Sequence, residues 1–194
     1  MSELLTYIDL GFRHITDPNG ADHILFLLAL AAIYGVRDWR RVVWVVTAFT
    51  IGHSLTLALA VTGWLRLPAS LIEFLIPVTI VLTAVENVFV REGAGRGLRY
   101  RPVLAGVFGL VHGAGFANYL RSLFVERLAV PLFGFNVGIE LGQLLVLGLA
   151  FAAFALVDRA LAAERGIVPR LRTLAVSGVV AVVALRWAVE RAPW

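Results

Sequence analysis

From Val42 to Thr62 the chain carries no aspartate, glutamate, lysine or arginine, and comparable uncharged apolar runs recur along its length. About 20 apolar residues in a helix, at 1.5 Å per residue, match the roughly 30 Å hydrocarbon slab of a bilayer. Charged residues make up 15% of the 194, and 60% are hydrophobic. Water-soluble domains carry roughly 25% charge, so a soluble globular fold is excluded. The pattern predicts an all-α polytopic membrane protein: one integral membrane domain over 1–194, with helices at about 21–36, 42–62, 71–90, 103–120, 132–157 and 171–189.

All 17 basic residues are arginines, and their placement orients the spans, because basic residues collect in cytoplasmic connections. One set of alternate connections holds Arg37, Arg40 and Arg41, then Arg91, Arg96, Arg99 and Arg101, then Arg159, Arg165, Arg170 and Arg172. The other side holds Arg13, Arg66, Arg121, Arg127 and Arg191. This predicts a six-transmembrane-helix bundle with both termini outside, in a bacterial-type inner (cytoplasmic) membrane. The same arginines explain a pI near 10.3 without nucleic acid as a partner. Residues 1–20 carry Glu3 and Asp9 in place of a basic start and lack a continuous apolar core, unlike a signal peptide. Leu4, Leu5, Ile8, Phe12 and Ile15 recur at near-helical spacing and predict a short extracytoplasmic interfacial helix. Trp39, Trp44, Trp64 and Trp194 read as interfacial anchors, and the Gly- and Arg-rich stretch 91–102 as a cytoplasmic connection. Cysteine is absent and Met1 is the sole methionine, which excludes thiolate catalysis, iron–sulfur clusters and sulfur-ligated metal.

Polar groups inside a bilayer are costly unless paired, so each needs a reason. All four histidines fall in or beside apolar segments. His14 and Asp22-His23 flank Asp17-Pro18-Asn19-Gly20 at the outer mouth of the first span. By residue count from the cytoplasmic arginines, His53 lies roughly 18 Å and His112 roughly 15 Å up the bilayer, and Glu140 lies about 12 Å below the outer end of the fifth span. Asn136, Glu140 and Gln143 follow i, i+4, i+7 spacing and share one face. Gly106, Gly109 and Gly113 form a smooth strip that admits a close neighbour. Imidazoles and carboxylates without sulfur suit a divalent ion such as nickel, cobalt or zinc. The bland alternative is that each histidine only hydrogen-bonds across helices. On the third span, Glu73 sits near the outer end and Glu86 near the inner end. Pro77 cannot donate to the Glu73 carbonyl. Glu73 reads as an entry acid or an interfacial charge, and Glu86 as a relay or an ion-pair partner of a nearby arginine.

Six blocks carry a family resemblance: Gly11-Phe-Arg-His14-Ile15; Gly20-Ala-Asp22-His23-Ile-Leu-Phe26; Phe49-Thr-Ile-Gly-His53-Ser54-Leu-Thr-Leu57; Ile72-Glu73-Phe-Leu-Ile-Pro77; Phe108-Gly-Leu-Val-His112-Gly113-Ala-Gly-Phe116; and Phe135-Asn136-Val-Gly-Ile-Glu140-Leu-Gly-Gln143. In this order over residues 11–143, they resemble the HupE/UreJ family of hydrogenase and urease accessory membrane proteins. The resemblance implies a small six-helix nickel or cobalt permease in which the aspartate–histidine motif of the first helix is needed for uptake. Here that motif is Asp22-His23, with His14 upstream.

The leading expectation is therefore binding and transport of a divalent ion. Asp22, His23 and His14 form an outer capture site. His53, His112 and Glu140 form an intramembrane site, with Asn136, Gln143 and Ser54 orienting ligands and Glu73 and Glu86 on the pathway. The alternative is an intramembrane hydrolase or transferase using zinc-activated water. A third is an accessory subunit whose polar groups only pack helices. The expected partners are the lipid bilayer and the metal ion, with a homo-oligomer or a cytoplasmic metal acceptor left open.

Overall fold

The computed structural model describes residues 2–90, 99–123, 129–161 and 167–193, with the side chains of 117–123 and Ile167 outside the description. Segment 91–98, Arg127, Arg165 and Trp194, all read above from sequence, lie outside the described residues, as does the Arg121 side chain. The described residues form seven α-helices and no strand: α1 (Glu3–Thr16), α2 (Asp22–Ala31), α3 (Trp39–Val61), α4 (Ala69–Phe89), α5 (Arg101–Leu123), α6 (Ala129–Ala160) and α7 (Ile167–Glu190). Among the described residues, four stretches, Val36–Val61, Ala69–Phe89, Ala129–Ala160 and Val168–Glu190, are long and apolar enough to cross a membrane.

Side-chain registers fix the relative directions. In α3 and α5, Gly109 packs on Phe49 and Gly113 on His53, so the two helices run in parallel. A Cβ on Gly113 would lie 2.9 Å from the His53 Cα, so only glycine permits this approach. The glycine strip read on the fourth span thus meets α3. Thr50 bonds Gln143 and Ser54 bonds Asn136, so α6 runs antiparallel to α3. Asn87 bonds Ser177 while Arg170 reaches the Val88 and Val90 carbonyls, so α4 and α7 are antiparallel.

The N-terminal segment differs from an in-plane interfacial helix. α1 packs lengthwise along the first half of α6: Gly134 meets Leu4 and Tyr7, Gly138 meets Ile8 and Phe12, and Gly142 meets Phe12 and Ile15. It therefore runs parallel to α6. α2 runs antiparallel to α7, since Asp22 pairs with Arg191 and the Ala32 carbonyl accepts from Thr173. α7 is antiparallel to α4, and α4 runs the same way as α2. With 10 residues, α2 is about 15 Å long, half the slab it was expected to cross. The break between α1 and α2 is set by sequence. Asp17 caps the turn by accepting from the Asn19 N–H at 2.8 Å, and Pro18 opens a 3₁₀ turn over Pro18–Gly20. Trp39, Trp44 and Trp64 are all exposed, as anchors in a lipid interface would be.

Candidate metal site

The break between α1 and α2 brings His14, at the end of one helix, beside His23, at the start of the next. Their ring centroids are 4.5 Å apart. His53, on α3, completes the cluster at 5.8 Å from His14 and 5.9 Å from His23. One ligand atom from each of these three histidines lies within 4.8 Å of the other two. A tetrahedral ion at about 2.1 Å from each nitrogen spaces them roughly 3.4 Å apart, so the three lie within about 1.4 Å of ligand spacing.

Burial gives this arrangement its meaning. His53 is 0% exposed and His23 6% exposed. The Nε2 atoms of His14 and His23 and both ring nitrogens of His53 are buried without a hydrogen-bond partner. An unpaired buried nitrogen costs roughly 1–3 kcal/mol, so four of them in one cluster is a costly arrangement unless something is bound there. The surroundings are aromatic. Phe116 lies 4.0 Å from His14 and stacks at 5.1 Å on Phe135, while Phe26 and Phe49 stack at 4.8 Å beside His23 and His112.

His112, 1% exposed, lies 5.1 Å from His23 by ring centroid. Its Nε2 is 2.9 Å from the Thr79 hydroxyl, which also lies 2.7 Å from the Ile76 carbonyl. In the tautomer that donates Nε2–H to Thr79, the lone pair stands on Nδ1, itself buried and unpartnered. His112 stands beside the three-histidine cluster with a free ligand atom, although it is not one of the mutually close set.

A cavity of about 360 Å³ opens onto the cluster. His14, His23 and His112 line its inner wall, with Asp17, Asp22, Glu73 and Arg191 around it; Asp17 and Glu73 are exposed. Asp22 is not in the close set; its carboxylate accepts from Arg191 at 3.0 Å. Glu140 is half-buried on α6 and likewise outside the close set among the described residues. Asn136 and Gln143 hold the Ser54 and Thr50 hydroxyls of α3 at 2.6 and 2.9 Å, so they brace the helix that carries His53. Glu86 lies apart, in a bidentate ion pair with Arg101.

The structure thus joins the expected outer site (His14, His23) to the expected intramembrane site (His53, His112). Thr79 was missed from sequence, although Thr79, Thr83 and Asn87 repeat at i, i+4, i+8 on α4 and are all buried. Arg191 was read only as a charge on the outer side. The family model described as HupE / UreJ protein matches residues 1–191. This chain belongs to the HupE/UreJ family. No curated protein and no solved structure matches it. For this HupE/UreJ member, the match spans both histidine-bearing halves of the site.

Proposed function

We propose that the protein is a divalent-cation permease of the cytoplasmic membrane, with nickel as its leading cargo and cobalt and zinc as the other ions its ligands suit. The observation that carries this reading is the group of three histidines, His14, His23 and His53, whose unpartnered nitrogens gather beside a cavity that His14 and His23 line. Neutral imidazoles without sulfur favour borderline ions over calcium or magnesium. The helix directions support a six-pass path in which α1 and α2 together make the first crossing and α7 returns to the side on which α1 starts; the arginine distribution read from the sequence makes that side the outside. Broken helices meeting at a buried ion site are a recurring device of transporters, since irregular backbone at membrane depth is tolerated where it lines a water-filled cavity.

In this reading the ion enters past Asp17 and Glu73, exchanges water for the three imidazoles, and passes to the free Nδ1 of His112. Thr79 and Thr83 continue the line inward along α4 toward Glu86. Release is toward a cytoplasmic acceptor. Uptake of nickel into proteoliposomes tests the proposal. Wild-type protein accumulates the ion, whereas His53→Ala reduces uptake at least tenfold and lowers bound nickel in the purified protein. Nickel bound in a His53-dependent way without flux would point instead to a resident catalytic ion, and no His53-dependent binding would refute both.

A further inference from the structure

Arg191 follows the end of α7, where an arginine ordinarily extends its guanidinium outward to water. Here it turns the other way. Its Nη1 donates to Asp22 Oδ1 at 3.0 Å, its guanidinium carbon lies over the Trp187 ring 5.1 Å from the centroid, and it forms part of the cavity wall that leads to His14 and His23. The ion pair is 31% exposed on the arginine and 18% on the aspartate. Arg13, the other arginine of that wall, is engaged by Asp9 at 2.8 Å. Asp22 immediately precedes His23, whose Nε2 is unpartnered, yet its carboxylate is absent from the close ligand set.

We propose that Arg191 is a tethered counter-cation that holds Asp22 when no ion is bound and is displaced when a dication enters. This inference rests on the permease reading of the same histidine cluster. The physical argument is competition for one carboxylate. A dication among neutral imidazoles attracts the Asp22 oxygen with twice the charge of a guanidinium, and it repels the guanidinium itself. Arg191 then swings out to water, and Asp22 turns in as the fourth, anionic ligand of a three-imidazole site. While the ion is away, the arginine neutralises Asp22, so a monovalent cation gains little from displacing it. Arg191 is thus a positioning residue that makes entry selective for doubly charged ions.

The test is nickel binding by purified, full-length protein, measured by titration calorimetry. A residue that merely braces the fold weakens binding when removed. A competitor does the opposite, so Arg191→Gln is expected to bind nickel more tightly than wild type, by up to about fivefold, the range expected for losing one partly exposed ion pair. Arg191→Lys keeps the charge and is expected to stay near wild type. In an Asp22→Asn background, which binds more weakly, adding Arg191→Gln is expected to tighten binding by clearly less than it does in wild type, because only the competition for the carboxylate has gone. Unchanged or weaker binding by Arg191→Gln, with nickel binding to wild type still dependent on His53, overturns this inference alone. Loss of that dependence on His53 in wild type overturns the permease reading and this inference together.

Discussion

At the scale of single residues, the molecule separates polar groups that are paired from polar groups that are not. Arg101 is only 3% exposed, yet every direction it faces is satisfied. Glu86 receives both its Nε and Nη2, Asn87 receives Nη2, and the Leu30 carbonyl receives Nη1. His14 Nε2, His23 Nε2 and both nitrogens of His53 have no such provision. The contrast with Arg101 argues that the fold can satisfy a buried charge where it needs to and leaves these four imidazole nitrogens bare for a ligand. Removing one partner of a buried pair strands the other, at a cost of about 3 kcal/mol or more. Arg101→Met should therefore lower the thermal unfolding midpoint in detergent markedly, whereas Glu86→Leu combined with Arg101→Met should recover part of the loss. A double variant as unstable as the single one would show that the pair is not the source. The sequence made the histidines, Asp22 and Glu140 visible because such groups are conspicuous in apolar runs. It did not reveal that Asp22 is already occupied by a residue 169 positions away, since nothing local to either residue encodes that contact.

At the scale of helices, the site depends on how closely α3 and α5 approach. Gly109 fits against the Phe49 carbonyl and the His53 N–H, and a Cβ there would collide with backbone on the facing helix. Backbone cannot rotate aside as a side chain can, so Gly109→Ala must push the helices apart. We expect a cost of about 1–3 kcal/mol, read as a lower unfolding midpoint, together with weakened nickel binding because His53 moves with α3. Gly148→Ala is the control: its Cβ would meet nothing within 4 Å, so nickel binding should stay at the wild-type value and the midpoint should hold or rise slightly. If the two glycine variants behave alike, close packing does not position His53. The strip Gly106, Gly109 and Gly113 was legible from its spacing, and so was the polar face of Asn136 and Gln143. Which helix each would meet was not, because periodicity marks the face of a helix and says nothing about its neighbour. For the same reason the N-terminal amphipathic pattern was read as a surface helix. Leu4, Ile8, Phe12 and Ile15 are in fact the seam that packs on Gly134, Gly138 and Gly142.

At the scale of the whole molecule, the decisive feature is that α1 and α2 run the same way with a turn between them. A continuous first helix would carry His14 and His23 nine residues apart, about 13 Å along its axis, too far to share an ion. The turn at Asp17–Gly20 folds that separation into a ring contact of 4.5 Å. Whether this broken element faces water or lipid can be read chemically, because the chain has no cysteine and any introduced thiol is unique. With a membrane-impermeant maleimide on intact cells, Ser2→Cys and Trp64→Cys should label from outside, and Arg37→Cys and Arg159→Cys only after permeabilisation. Asp17→Cys is the informative position. It lines the cavity and is exposed, so it should label from outside despite following the end of a helix packed along α6, and nickel should slow that labelling by filling the site behind it. A thiol at residue 17 that resists the reagent in intact and permeabilised cells alike would mean that the turn faces lipid. The cavity would then not be an entrance, and the histidines would have no route to the outside.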